Sequence, residues 1–273
     1  MWSPAHVNGA RIHEDASGGS AHARGDAAEL AAQAPSVAVE LPGARVLLST
    51  RRGGVSPAPF DSLNLGRLTD DGGGNVDANR ERLAAGVGLP RERFLYGRQV
   101  HGARVRRATE PPGQERPATD EDGQATALPE AAALVFVADC LPVLLAADGA
   151  VAALHCGWRG LAGGIVAEGV GALRELGAHG PIAAVVGAGA RGCCYEVGEE
   201  VLEHFEDVPT ARKGSGTFLA LDLPTVAATR LAEAGVAEIH DVGLCTMCRN
   251  DLFFSHRADG GVTGRQAGVV WRS

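Results

Sequence analysis

Between residues 132 and 155 the chain passes through three short apolar stretches: Ala132 to Val137, Pro142 to Ala146 and Ala150 to His155. Runs of this length, without helical spacing, read as buried strands. The second and third are joined around Asp148-Gly149, a dipeptide that favours a tight hairpin. Aromatic residues make up only 4% of the chain, so the core around these strands has to be built from Ala, Val and Leu. The hydrophobic share of 45% is sufficient for a sizeable core, and 273 residues fit one α/β domain.

Other elements are shorter or less regular. Val46 to Thr50 reads as a strand, followed by a Gly-rich loop from Arg51 to Ser56, the segment Phe60 to Gly66 and a turn from Asp70 to Asn75. Val76 to Gly86 has helical character. Phe94 to Tyr96 and Arg104 to Arg106 read as strands flanking a loop that holds His101. Residues 109 to 124, rich in Pro, Glu, Asp, Gly and Gln, are expected to form an exposed loop. Leu161 to Leu176 is a strong amphipathic helix in this reading, and Ile182 to Val186 a buried strand. Gly198 to Phe205 and Asp222 to Ala234 are helices, with Pro224 well placed near the start of the second. Ile239 to Val242, Phe253-Phe254 and Val269 to Trp271 complete the strands. Strands and helices mix irregularly, which favours α+β with mixed β-sheets flanked by helices over a doubly wound parallel sheet. Residues 1–36 lack periodicity and are expected to be a disordered extension whose His6, His13 and His22 are solvated; residues 37–273 are expected to form a single domain.

Charge and cysteine usage narrow the function classes. The net charge is −8 and the pI about 5.6, which argues against a nucleic-acid-coating protein. No run of 18 apolar residues suggests a membrane span, and no apolar region near Met1 suggests a signal peptide. The six cysteines are Cys140, Cys156, Cys193, Cys194, Cys245 and Cys248. Free or metal-bound thiols in a reducing cytoplasm are the expected state.

The densest concentration of chemistry-bearing residues is Ala138-Asp-Cys-Leu-Pro142 with His155-Cys-Gly-Trp-Arg-Gly160. Cys140 and His155 lie at ends of neighbouring strands, where their side chains can meet at one sheet edge. His101 follows Gln99-Val100 at the edge of a loop. Two His and one Cys suit zinc, and a three-ligand site leaves a fourth position for water, whose pKa zinc lowers toward about 7. Spacing alone leaves this open against a buried Cys140 and a satisfied core His155.

The order of further motifs carries a resemblance. Ser49 to Ser56, Ser62-Leu-Asn-Leu-Gly66, Asn79-Arg80, Gln99-Val-His-Gly102, Ala138 to Val143, His155 to Gly160, Cys194-Tyr-Glu-Val197, Phe253 to Arg257 and Thr263-Gly-Arg265 are similar to the laccase-domain family of purine nucleoside phosphorylases, also labelled polyphenol oxidase and peptidoglycan editing factor. The resemblance spans about four fifths of the chain. It implies zinc held by His101, Cys140 and His155, and a fold resembling that of cysteine hydrolases. The chain departs from the family pattern at Cys156, at Gly187 to Ala190 and at Val137.

The implied reaction brings phosphate to C1′ of adenosine, inosine, guanosine or methylthioadenosine. Arg51, in its Gly-rich loop, is the candidate phosphate ligand and catalytic residue beside Cys140 and His155, since Arg presents a fixed fork of donors to an oxyanion. Arg159 and Arg265 are candidates to complete the basic pocket. Asn64 is a candidate for ribose or base, against the commoner role of Asn in turns. Trp158 is a candidate platform for a purine, against a core position. Asp139 is read as orienting a neighbour or capping a turn; Tyr195 and Glu196 as contacting substrate or opening a helix.

Adenosine deamination at the same centre is a further expectation, although no glutamate lies in a deaminase signature. The laccase label fits poorly: the chain has nine His, three of them in the first 36 residues, and no His-x-His pair. Phenol oxidation by copper at the three-ligand site is therefore secondary. Two alternatives stand beside the zinc enzyme. One is a metal-free amidase acting on a peptidoglycan precursor, with Cys140 as nucleophile and His155 as base. The other is a non-enzymatic metal-binding protein. Cys245-Thr-Met-Cys248 is expected to be incidental or a packing pair; Cys193-Cys194 would be the only other half of a structural zinc site, and vicinal cysteines chelate poorly as a pair.

Overall fold

The computed structural model of the protein describes residues 5–7, 36–111, 119–215 and 217–273. The hairpin at its centre is formed by β8 (Leu141–Asp148) and β9 (Ala150–Cys156). Pro142 pairs with His155 and Ala147 with Ala150, so the turn is Asp148-Gly149, with Gly149 at φ 98° as a tight hairpin requires.

Two six-stranded sheets form the body of the molecule. The first runs in the order β1 (Ala5–Val7), β2 (Ser36–Leu41), β3 (Ala44–Ser49), β14 (Gln266–Arg272), β7 (Ala132–Val137) and β4 (Phe94–Leu95). The second runs β13 (Glu238–Asp241), β10 (His179–Val186), β8, β9, β6 (Gly123–Thr126) and β5 (Val105–Ala108). Parallel pairs β4–β7, β5–β6 and β10–β13 occur beside antiparallel ones, so both sheets are mixed. A short ladder joins β11 (Arg212–Ser215) to β12 (Phe218–Leu221). The fold is α+β with mixed sheets, as the sequence pattern implies.

Alternation along the central strands sets the layers. Leu144, Val151 and Val185 face Val46, Leu48, Val135 and Val270 across the inter-sheet core. Val143 and Leu145 point the other way, onto α3 (Ile165–Glu175) and α5 (Leu223–Glu233), meeting Ile165, Leu173, Val226 and Leu231. On the far side, Leu47, Leu134 and Val269 meet Leu83 and Val87 of α1 (Gly73–Val87). The order is helix, sheet, sheet, helix. Each central strand is covered on both faces, which is why its sequence is apolar throughout and does not alternate.

Several expectations are corrected. The amphipathic run Leu161 to Leu176 is broken into α2 (Trp158–Ala162) and α3 by Gly163-Gly164, with Gly164 at φ 86°. Phe253-Phe254 is not a strand; both residues are buried in a loop. The expected exposed loop 109 to 124 ends in a buried segment, because Glu121, Asp122 and Gln124 lead into β6 between β5 and β9. Gly198 to Phe205 holds only α4 (Glu199–Leu202) and one 3₁₀ turn. Asp222 stands at the N-cap position of α5 without a side-chain bond to the helix backbone, and Pro224 lies in its first turn, as expected. Strand β1 falls within the segment expected to be disordered and pairs with β2; residues 8–35 lie outside the described residues. Among the described residues no helix is long and apolar enough to cross a membrane.

Leu144 is fully buried between the sheets. Leu144→Ala is expected to lower unfolding stability by about 2–5 kcal/mol, read as a lower urea midpoint, while Val262→Ala on the surface leaves it nearly unchanged.

Candidate metal centre and adjoining cavity

The end of the β8–β9 hairpin opposite its turn is where three side chains meet. His155 lies near the end of β9, paired with Pro142. Cys140 precedes β8 in a bend set by Asp139, whose φ of 83° turns the chain between β7 and β8. The ligand atoms of His101, Cys140 and His155 lie within 4.8 Å of one another. The two imidazole rings meet edge to face, with centroids 4.9 Å apart. His101 is exposed, Cys140 half-buried and His155 buried, so the group opens to solvent on one side. Gly157 makes the convergence possible. A Cβ there would lie 2.9 Å from the Cys140 sulfur and 3.2 Å from His101 Cδ2.

Asp122 organises the group and was not legible as functional in the sequence. Its Oδ1 accepts from His155 Nδ1 at 2.7 Å and from the His101 backbone N–H at 2.9 Å. Its Oδ2 accepts from the N–H groups of Val100 (3.1 Å) and Gly102 (2.7 Å). Burial would raise the Asp122 pKa, but these hydrogen bonds hold it below the ordinary value. An ionised carboxylate only accepts, so His155 Nδ1 carries the proton and Nε2 is left for a ligand. The His101 loop is fixed a second time by Gln99. Its amide donates to Phe136 O at 2.6 Å and accepts from Phe136 N at 2.8 Å, extending β7 sideways.

Burial of Cys140 would raise its pKa, yet the His155 charge and hydrogen bonds from both imidazoles bring it down to about 6. Burial would lower His155, and the Cys140 and Asp122 charges outweigh it, raising His155 to about 9. Without metal the two shifts together favour a thiolate–imidazolium pair. Cys156 is different: buried in the core and beside Cys140, its thiol is pushed well up, so it packs and does not react.

A cavity of about 410 Å³ is lined by Trp158, Tyr195, Glu196, Glu200 and Arg257 among others, and by none of the three. Trp158 opens α2, three residues after His155. Burial raises Tyr195 to about 12, and the Cys140 thiolate adds to that shift. The Arg159 guanidinium stacks on the Trp158 ring at 4.3 Å and that of Arg257 over Tyr195 at 5.3 Å. Arg265 is half-buried, and its pKa is lowered by that burial although the charges of Cys140 and Asp139 oppose the shift. Glu196 is exposed, and its carbonyl accepts from Arg257 Nη1 at 2.8 Å.

Two candidates have other partners. Arg51 donates through Nε to Asp61 O (2.8 Å), through Nη1 to Asn250 O (2.8 Å) and Oδ1 (3.1 Å), and pairs with Asp61 Oδ1 at 3.3 Å. Its guanidinium also lies 4.8 Å over the Phe254 ring. It joins the Gly-rich loop to the segment around Asn250. Asn64 is fully buried: Oδ1 accepts from Gly66 N and Arg265 N, each at 2.9 Å, and Nδ2 donates to Thr69 Oγ1 and Asp71 Oδ2, each at 3.0 Å. No hydrogen-bonding capacity remains for a sugar. Asn64 is the turn-forming residue of the two readings, and it sets the backbone of Arg265. Asp139 likewise orients neighbours, accepting from Thr246 Oγ1 at 2.7 Å and from Arg257 N at 2.8 Å.

Over residues 45–273 the sequence matches the family described as multi-copper polyphenol oxidoreductase laccase. The chain belongs to that family. A Mycobacterium tuberculosis (strain H37Rv) protein named purine nucleoside phosphorylase is 40% identical over 235 residues, covering 83% of this chain and 91% of the relative. A Streptomyces coelicolor protein with the same name is 40% identical over 235 residues, covering 84% and 96%. Among solved structures, YfiH from Bacillus licheniformis superposes with a TM-score of 0.80 at 29% identity, over 88% of this chain and 98% of that one. YlmD from Geobacillus stearothermophilus gives 0.77 at 34% identity, over 84% and 92%. In this member of the laccase-domain family, the one His-containing cluster among the described residues offers two imidazoles and one thiolate, a donor set for a single ion.

The acidity of Cys140 is directly measurable. In metal-free protein, alkylation of Cys140 by iodoacetamide is expected to rise with a midpoint near pH 6, since the thiolate reacts. In Asp122→Asn, which removes one charge favouring the imidazolium, the midpoint is expected to move upward.

Proposed function

We propose that this chain is a zinc-dependent purine nucleoside phosphorylase. The observation that carries the reading is the meeting of His101, Cys140 and His155, with the Trp158 and Tyr195 cavity wall beginning three residues after His155. The names of its relatives support the same reaction. The donor set fits the ion: one soft thiolate and two neutral imidazoles, with one imidazole oriented by a carboxylate. Zinc held there would supply a Lewis acid and a fixed positive charge.

The chain's own residues account for binding. The half-buried Trp158 and Tyr195 rings line the cavity and supply apolar contact to a purine, with Arg159 and His204 already against Trp158 and Arg257 against Tyr195. Arg159, Arg257 and Arg265 supply positive charge for orthophosphate; the first two already lie on those aromatic rings. Arg51 is assigned to the loop it bonds rather than to the phosphate. A phosphate oxygen attacks C1′, the bond from C1′ to the purine nitrogen breaks with its electron pair leaving on the base, and sugar 1-phosphate is released. The substrates assigned are adenosine, inosine, guanosine and methylthioadenosine. Adenosine deamination is the second activity assigned to the same centre.

The test is phosphate-dependent release of hypoxanthine from inosine or adenine from adenosine, run beside metal analysis. His101→Ala, Cys140→Ala and His155→Ala are each expected to lose both the ion and the activity with the fold retained. Asp122→Asn is expected to weaken metal affinity or turnover about 10–100-fold. Full turnover in Cys140→Ala, or base release that ignores phosphate, would overturn the reading. Activity that survives chelation but not thiol alkylation would point instead to a Cys140–His155 hydrolase.

A further inference from the structure

A second group of metal-ligating side chains lies among the described residues, away from His101, Cys140 and His155. Cys193, Cys194, Cys245 and Cys248 place their four Sγ atoms within 4.8 Å of one another. They come from two turns distant in sequence. Cys194 and Cys248 sulfurs are 3.0 Å apart, and Cys193 lies 3.5 Å from each of them. The vicinal pair does not need to chelate alone, because the turn at Gly192–Cys194 aims both sulfurs at the Cys245–Cys248 turn.

The two turns are built against each other. Gly189 N donates to Leu244 O at 3.3 Å and Thr246 N to Gly189 O at 3.1 Å, so the segments bridge as a strand pair would. Arg191 forms a two-pronged pair with Asp241 at 2.9 and 2.7 Å, and Gly192 N donates to Asp222 Oδ1 at 2.8 Å.

Packing does not explain the cluster. Cys156, a packing cysteine, is fully buried among Leu and Val, whereas Cys193 and Cys248 are exposed and their sulfurs lie close to those of Cys194 and Cys245. Disulfide pairing explains it poorly, because the sulfurs form a compact foursome and not two separate close pairs. A tetrahedral ion with bonds of about 2.3 Å needs sulfurs about 3.8 Å apart; three separations here are 3.0, 3.5 and 3.5 Å and none exceeds 4.8 Å, so small side-chain shifts reach that geometry.

We propose that Cys193, Cys194, Cys245 and Cys248 bind one zinc ion in an all-thiolate structural site. Binding exchanges the thiol protons, released to solvent, for one divalent ion and needs no oxidant. The ion fastens the segment carrying Tyr195 to the turn carrying Thr246. Thr246 in turn hydrogen-bonds Asp139, the residue before Cys140. The cavity wall and the bend that presents Cys140 are thereby tied to one point.

Metal content of the full chain tests the site independently of the reaction. His101→Ala/His155→Ala is expected to retain one equivalent of zinc, with an X-ray absorption shell of sulfur only at about 2.3 Å. Adding Cys245→Ser/Cys248→Ser to that variant is expected to remove the ion and lower the Tm. If the quadruple variant does not fold, titration of the double variant with a mercurial thiol reagent is expected to release the zinc in step with thiol modification. The proposal is overturned if the His101→Ala/His155→Ala protein holds no stoichiometric zinc. A native mass about 4 Da below the reduced value, from two disulfides, or the visible absorption of an iron–sulfur centre also overturns it.

Discussion

One buried carboxylate holds the candidate centre together. Asp122 accepts hydrogen bonds from His155 Nδ1 and from three successive backbone N–H groups at Val100, His101 and Gly102. It therefore sets the direction of one imidazole and the position of the loop that carries the other. A buried carboxylate is costly unless its oxygens are paired. Here four donors compensate it, and each belongs to the site or to the loop that builds it. The carboxylate also fixes the tautomer of His155, which leaves Nε2 facing Cys140. The acidity of the thiol and the basicity of the imidazole are consequences of that arrangement.

The paired sheets give this cluster a rigid base. Cys140 and His155 sit at the open end of a hairpin whose apolar residues are buried on both faces, which gives both a fixed base. The loops at that end carry the variable chemistry, as expected where a rigid scaffold presents reactive groups. Asp139 links them. Its left-handed backbone aims Cys140, and its carboxylate holds Thr246 and the start of the Arg257 turn. The cavity, the His–Cys–His trio and the four-cysteine cluster are thus neighbours in one hydrogen-bonded loop system.

Much of the centre of the fold was legible in the sequence. The runs at Ala132, Pro142 and Ala150 announce strands because a strand covered on both faces has no polar side, and Asp148-Gly149 announces the turn because few residues tolerate its backbone angles. The break of the helix at Gly163-Gly164 was readable in principle but hidden by the periodicity on either side. Asp122 was not readable. It lies at the end of a polar, proline-rich stretch where an acidic residue looks solvated, and only the pairing of β6 with β9 buries it. Arg51 and Asn64 show the converse. Their residue types suit phosphate and sugar, but contacts to Asn250, Asp61, Thr69 and Asp71 engage those groups within the protein.

The sequence by itself determined the α+β class, the hairpin and the residue types able to bind a metal. These depend on propensity, periodicity and turn geometry, which act between residues close in the chain. The tertiary structure alone decided which carboxylate faces His155, which arginines stand beside the cavity, and that two cysteine pairs share one point. Those relations depend on sheet register and loop closure across long separations, where a shift of one residue would turn every side chain to the opposite face.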